Sequence, residues 1–407
     1  MTTPLFDPYN AKLDEPWEQL AADRQGCPVA YSPHLDAVQI SSYQGVKEFL
    51  AQHQDYTGTY STLWPRTEPL PVDEQVFSSA DQPRHTRQRK LFVRALSASR
   101  IATMRPFSEK LVNQLVDDII EAGDTFALGP DFAMKVTAGH VAELLDIPEA
   151  DRERFAYLSG LFERSTAGTG DDELIAQMDE WHRQLADVVA ERRAAGEVDD
   201  DLITKLCFAE EDGDRLTELE VAALIRAMIR AGNTTTAATI INTVHALESH
   251  PEQKARYIGD IDGLTTSLVQ EGLRYDGPVL GLWRRCSRDT SVAGHPLPAG
   301  QRVFTVTAAA NHDPAVYDRA DEFVVDRDWR NLPGHLSFGH GIHHCIGMNL
   351  AFLECEVALS TLYRRLPGLR LDEESTPVQA PGPVVRGWIG VRMRYDRDVL
   401  ATGTKGD

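Results

Sequence analysis

The sequence lacks any apolar run of the eighteen or so residues that a membrane-crossing helix needs. Its opening stretch, MTTPLFDPYNAKLDEPWEQLAADRQGCPVA, places Pro and acidic residues where a secretory leader needs an apolar centre. These absences predict a soluble, untargeted chain with no membrane partner. Cysteine is sparse: Cys27, Cys207, Cys286, Cys345 and Cys355 are scattered, odd in number and without the spacing of a secreted disulfide framework. That pattern fits a reducing cytoplasm. Basic residues are in deficit, 41 Lys plus Arg against 62 Asp plus Glu for a net charge of −21, which disfavours nucleic acid or an anionic membrane as principal partner. Repeats and low-complexity tracts are absent too, and only the first ten or so residues and the terminal ATGTKGD read as frayed ends.

What is present is an ordinary globular composition, 42% apolar and 25% charged over 407 residues, enough to bury a sizeable core. Length alone suggests two or three domains, but the pattern reads as one domain over residues 1–407. From about residue 83 to 275 apolar residues recur at three and four spacing, as in SEKLVNQLVDDIIEAG, FAMKVTAGHVAELLDI, DELIAQMDEWHRQLADVVAERRAAG and IDGLTTSLVQEGLRY. Strand signals are confined to β-rich parts at about 29–60, 280–310 and 376–398, exemplified by VAYSPHLDAVQIS, DTSVAGHPLPAGQRVFTVTAAA and VVRGWIGVRMRY. The expected fold class is mainly α with small peripheral β-sheets. One helix stands out: it opens with Thr217 and Glu220 in capping-box spacing, is apolar on more than one face and stops at Pro251. At about 1.5 Å per residue it would cross the whole domain, with its centre interrupted by AGNTTT, where Gly232 and three threonines allow either a tight helix crossing or something small and wet.

The chemistry concentrates in SFGHGIHHCIG, residues 337–347, which holds three glycines, three histidines and one cysteine. Zinc could use His335, His340, His343, His344 and Cys345, but no CxxC spacing appears. A nucleophilic cysteine is a second use, given a helix beginning near Cys345. A thiolate ligand to haem iron is the third, and needs a lone cysteine, a loop able to lie close to a flat macrocycle, and donors around the sulfur. Gly339, Gly341 and Gly347 permit that approach, the helix start offers free amides, and Phe338 can pack beside the sulfur.

Phe338, Gly341, Cys345 and Gly347 together resemble the cysteine loop of the cytochrome P450 family, and further family signatures follow in order over roughly residues 35 to 395. The resemblance implies the cytochrome P450 fold and a haem b held by the Cys345 thiolate. EGLR is similar to the family's buried pair, with Glu271 and Arg274 at i, i+3, and FVVDR supplies Arg327 as its third member. In PRHTRQRKL, His85 and Arg89 take the positions that reach the haem propionates, joined by Arg284 of WRRCSRD and by His343; the plain alternative for each is a solvated charge. For His340 and His344 that plain reading is preferred. AGNTTT matches the central-helix pattern with Gly232 and Thr235, but Thr234 stands where the family has an acid, and Asn233 cannot substitute at neutral pH.

The implied reaction is monooxygenation, one oxygen atom from O2 entering a small hydrophobic substrate by hydroxylation or oxidative dealkylation. Thr235 would donate a hydrogen bond to the bound oxygen species, and Thr234 with water would stand in for the acid. Substrate-lining residues implied by the resemblance include Leu63, Trp64, Val76, Phe77, Leu161, Phe162, Met228, Gly232, Val279, Leu282, Val385 and Trp388. No reductase domain fits in the chain, so a ferredoxin-type donor with its reductase is expected, docking on a basic patch drawn from Arg84, Arg87, Lys90 and Arg364. The rivals are a haem-thiolate peroxygenase, favoured by the missing acid, and a non-catalytic haem sensor or carrier.

Overall fold

The computed structural model describes residues 5–9, 13, 15–60, 67–72, 75–96, 98–147, 172–197, 201–380 and 386–403. Helices form its body and short strands its flank. Those that position the site are α1 (Tyr43–Ala51), α2 (Arg84–Ala95), α3 (Arg105–Ala122), α4 (Met134–Leu144), α5 (Glu218–Ser249), α6 (Ile261–Tyr275), α7 (Thr307–Asn311) and α8 (Met348–Arg365).

The long helix α5 begins where the sequence marks it. Thr217 Oγ1 accepts the Glu220 N–H at 3.2 Å while Glu220 Oε2 accepts the Thr217 N–H at 3.0 Å, so two otherwise orphaned donors are satisfied reciprocally. Glu220 also receives Arg87 Nη1 at 2.7 Å, tying the start of α5 to α2. Helix α5 ends at Ser249, and a separate helix, Pro251–Gly259, starts at the proline, whose missing N–H costs nothing in a first turn.

Around α5 pack α4, α6 and α8, and its two ends are buried over 220–225 and 236–244. Close approach to α6 requires glycine: a Cβ on Gly272 would lie 2.1 Å from Thr243 Oγ1. Gly232 abuts α4 in the same way, since a Cβ there would stand 3.2 Å from Val141 Cγ2. The tight crossing anticipated for the centre of α5 is therefore real, on one side of the helix.

The flanking sheet has five strands, β1 (Val29–Ser32), β2 (Ala37–Ile40), β3 (Tyr56–Thr57), β4 (Leu282–Cys286) and β5 (Arg302–Thr305), in the spatial order β1-β2-β5-β4-β3. All neighbours are antiparallel except β2 and β5, which run parallel with Val38 opposite Val303. A three-stranded sheet joins Arg370–Leu371, Arg392–Arg394 and Thr125–Ala127. One sequence expectation is corrected. The end of TVTAAA is the short helix α7 rather than strand, because its small residues are buried against α1, α6 and the N-terminal helix Trp17–Gly26. Helix α8 begins at Met348, three residues after Cys345, and a single 3-10 turn, Gly341–His343, precedes the cysteine.

Candidate active site

Cys345 lies in the loop between that 3-10 turn and α8. Its N–H donates to the Phe338 carbonyl at 2.9 Å, closing the loop on itself. Gly341 takes φ +73°, and a Cβ there would meet the Leu50 carbonyl at 2.4 Å, so the loop can cross the end of α1 only with glycine at this position. The Cys345 side chain is exposed, and desolvation by the surrounding loop raises its thiol above the ordinary range, opposed by the Gly347 amide, the Arg89 guanidinium and the Met348 amide. The Phe338 ring sits against Phe352 and His335, at centroid distances of 5.7 and 5.6 Å.

Four nitrogen-bearing side chains converge beside this loop. His85 Nε2 lies 3.0 Å from the Ile342 carbonyl, and Arg89 Nη2 donates to the His344 carbonyl at 2.7 Å, so α2 grips the loop on either side of His343. His343 Nδ1 is 3.0 Å from the Phe77 carbonyl, and its ring meets that of His85 edge-on at 4.7 Å. Burial, then Arg284, then His85 push the His343 pKa down to about 3. Arg284, on β4, is buried over the Tyr56 ring at 5.4 Å and donates to the Trp283 carbonyl. Among the described residues neither Arg89 nor Arg284 forms an ion pair with a carboxylate.

Behind the loop, Glu271, Arg274 and Arg327 meet in the interior. Arg274 Nη2 and Nε reach the two Glu271 oxygens at 2.8 and 2.9 Å, and Arg327 Nε reaches Oε2 at 2.9 Å. The remaining guanidinium protons go to backbone carbonyls, including Asn311, Ala320 and Asp318. Such saturation is what makes buried charge tolerable.

Halfway along α5 the burial opens: Met228, Gly232, Thr234 and Thr235 are part-buried and Ala231 is exposed. Thr235 Oγ1 donates to the Ala231 carbonyl at 2.7 Å. In that rotamer the hydroxyl's lone pairs remain open to a donor. Asn233 points into the core with Oδ1 buried and unpartnered.

The expected substrate residues scatter. Leu63, Trp64, Leu161, Phe162 and Val385 fall outside the described residues. Leu282 lies over Gly339 of the cysteine loop, 3.8 Å from where a Cβ would stand. Val279 and Met228 are part-buried against apolar clusters, as is Phe77, while Val76 is buried. Trp388 is engaged elsewhere, stacked on His245 at 4.1 Å with its indole N–H on Asp276. The cations expected to form a basic patch have carboxylate neighbours. Arg87 pairs with Asp214 and Glu220, Arg84 with Glu220, Lys90 with Glu211 and Arg364 with Asp262. The acidic hairpin Glu210–Glu211 and Asp214–Arg215 neutralises much of α2. Among the described residues no group of three or more His, Cys, Asp or Glu is placed to hold a metal, which leaves zinc without a site.

The cytochrome P450 family model matches residues 168–380. Mycinamicin IV hydroxylase/epoxidase of Micromonospora griseorubida is 34% identical over 356 residues, spanning 86% of this chain and 88% of that protein. The chain belongs to the cytochrome P450 family. Vitamin D(3) 25-hydroxylase of Pseudonocardia autotrophica is 35% identical over 72% of this chain and 70% of that protein. The solved P450 CYP109Q5 of Chondromyces apiculatus superposes with a TM-score of 0.84 at 28% identity, covering 95% of this chain and 97% of that one. The P450 is accordingly a monooxygenase, and its family binds haem through a cysteine thiolate. No helix among the described residues is long and apolar enough to cross a membrane.

The residues present fit that group. His85 Nδ1 and Arg284 Nε are buried without partners, beside two further cationic or imidazole side chains, and a pair of carboxylates would satisfy them. Sequence reasoning missed Asn311 and Ser337, which bond to the base of the cysteine loop. The one local signal was an Asn closing the TAAAN run, and the strand reading concealed it.

Proposed function

We propose that the Cys345 thiolate would hold the iron of haem b, that His85, Arg89, Arg284 and His343 would receive its two propionates, and that Phe338 and Gly347 would flank the sulfur. The observation carrying this reading is the convergence of His85, Arg89, Arg284 and His343 beside the Cys345 loop, with His85 Nδ1 and Arg284 Nε buried and unpartnered. Bound haem supplies the iron at which O2 is activated and one oxygen atom delivered, with the thiolate favouring O–O cleavage. The chain supplies position and protons. Thr235, its own proton held by Ala231, presents lone pairs to a proton-bearing neighbour, and Thr234 replaces the usual acid as a hydroxyl able to pass a proton in a water chain. The substrate is a small hydrophobic molecule, oxidised at a C–H bond or heteroatom, a reading supported by the relatives named as hydroxylases and by the apolar character of Met228, Val279 and Leu282.

Electrons come from a separate ferredoxin-type protein on the cysteine-loop face. Because Arg84, Arg87, Lys90 and Arg364 are already paired within the chain, charge steering there is weak, and binding loses only modest affinity with added salt. The threonine at 234 favours one second reading, turnover driven by peroxide. Reduction of purified protein under carbon monoxide tests the ligand: a strongly red-shifted Soret band in the parent, lost in Cys345→Ala, is expected. Product formed with ferredoxin and reductase, against product formed with peroxide alone, then separates the two readings.

A further inference from the structure

The cysteine loop is anchored at its base by one side-chain amide. Asn311, the last residue of α7, is buried, and its Oδ1 accepts the Leu336 N–H at 2.7 Å. Its Nδ2 donates to Ser337 Oγ at 2.8 Å. Ser337 has a single hydroxyl proton, and that proton goes to the Leu273 carbonyl on α6 at 2.6 Å. Its oxygen can therefore only accept from Asn311, and the amide is held in one orientation. The Asn311 carbonyl in turn accepts Arg274 Nη1 at 3.0 Å. On the far side, Gly339 N–H reaches the Leu336 carbonyl and Cys345 N–H the Phe338 carbonyl, both at 2.9 Å. A continuous route of hydrogen bonds and short backbone links thus runs from the Glu271 ion trio through Asn311 to the sulfur-bearing residue.

We propose that Asn311 is a positioning residue for the thiolate ligand, fixing the departure of the loop so that the Cys345 sulfur is held at one distance and angle to the iron. The inference rests on the reading of Cys345 as that ligand. Groups behind a metal ligand commonly matter about 10–100-fold for metal affinity or activity, because they fix ligand orientation. Asn311→Ala leaves the Leu336 N–H and the Ser337 oxygen without a partner in the interior. Asn311→Asp keeps an acceptor for Leu336 but replaces the donor facing Ser337 with a second acceptor. Ser337 must then turn its proton away from Leu273.

The test uses the haem-loaded protein and three variants at this point, Asn311→Ala, Asn311→Asp and Ser337→Ala, with Tyr257→Phe as a control whose hydroxyl meets Thr265 instead. The readouts are the iron–sulfur stretching frequency, the reduction potential and the rate at which the reduced carbon monoxide complex loses its red-shifted band. Asn311→Ala and Ser337→Ala are expected to shift the stretch and potential and to lose the band about tenfold faster than the parent, with Asn311→Asp between. Tyr257→Phe is expected to lower the melting temperature and leave the three readouts in place. A parent-like stretch and decay in Asn311→Ala, or in Ser337→Ala if the former does not fold, overturns the proposal, as does an equal shift in Tyr257→Phe. Cys345→Ala separates the two levels. If it keeps the band, the ligand reading fails and the inference with it; if it loses the band while the Asn311 and Ser337 variants match the parent, only the inference falls.

Discussion

At the scale of single residues, the proposed departure of this P450 is the hydroxyl of Thr234, which by resemblance stands where the family has an acid. Beside it, Thr235 Oγ1 is bonded to the Ala231 carbonyl at 2.7 Å, one turn back. Replacing Thr235 by Ala is expected to leave the reduced carbon monoxide spectrum intact while product per electron pair falls about 100-fold, the lower end of positioned proton-transfer effects; product and peroxide yields measured against electrons consumed decide it. Thr234→Asp is expected to move coupling in the opposite direction, and an unchanged profile places the proton route elsewhere. A second residue-scale consequence concerns acid. Burial holds His140 down to about 4 and His335 down to about 3, against an ordinary value of 6.5, so both are neutral in the folded chain at pH 7. The unfolded chain takes up protons first as pH falls below about 6.5, so stability is full above that value and declines toward pH 4. Urea midpoints at descending pH should follow this course, and His140→Leu should flatten part of the slope.

At the scale of elements, α5 works by how closely its neighbours approach. Gly272 of α6 faces Thr243, and a methyl there would stand 2.1 Å from Oγ1. Gly272→Ala is expected to destabilise by about 1–3 kcal/mol, as overpacking of a tight core usually does. Thr243→Ala in the same background should recover part of it, and unfolding of the four combinations measures the coupling. Helix α2 acts as a clamp of another kind: one face, His85 and Arg89, holds the cysteine loop, while Arg87 reaches across to Glu220 at the start of α5.

At the scale of the whole molecule, the Glu271, Arg274 and Arg327 trio ties together α6, the segment before the cysteine loop and, through Asn311, the loop itself. Glu271→Gln leaves two buried guanidiniums facing a neutral amide. Removing one partner of a buried ionic group typically costs about 3–5 kcal/mol, and chemical denaturation should show a loss of that size, with haem released earlier in the transition than in the parent. The same scale explains how much of the molecule was legible beforehand. Helix α5, its capping box and its stop at Pro251 depend on neighbours in sequence; short-range sterics and hydrogen bonding determine such features, and the linear pattern displays them, whereas the glycine at 341 answers to the Leu50 carbonyl across the fold. The regrouping of Glu271, Arg274 and Arg327 was also readable, but through family order rather than spacing. What only the tertiary structure decided is how distant groups share protons and charge. Asn311 reaches the loop base because α7 folds as a helix in the interior. The cations of α2 are quenched because a hairpin more than a hundred residues away folds back onto them. The Trp388 ring is committed to His245 and Asp276. A sequence names donors and acceptors, but which donor meets which acceptor is set by packing, and burial then sets the strength of each pairing.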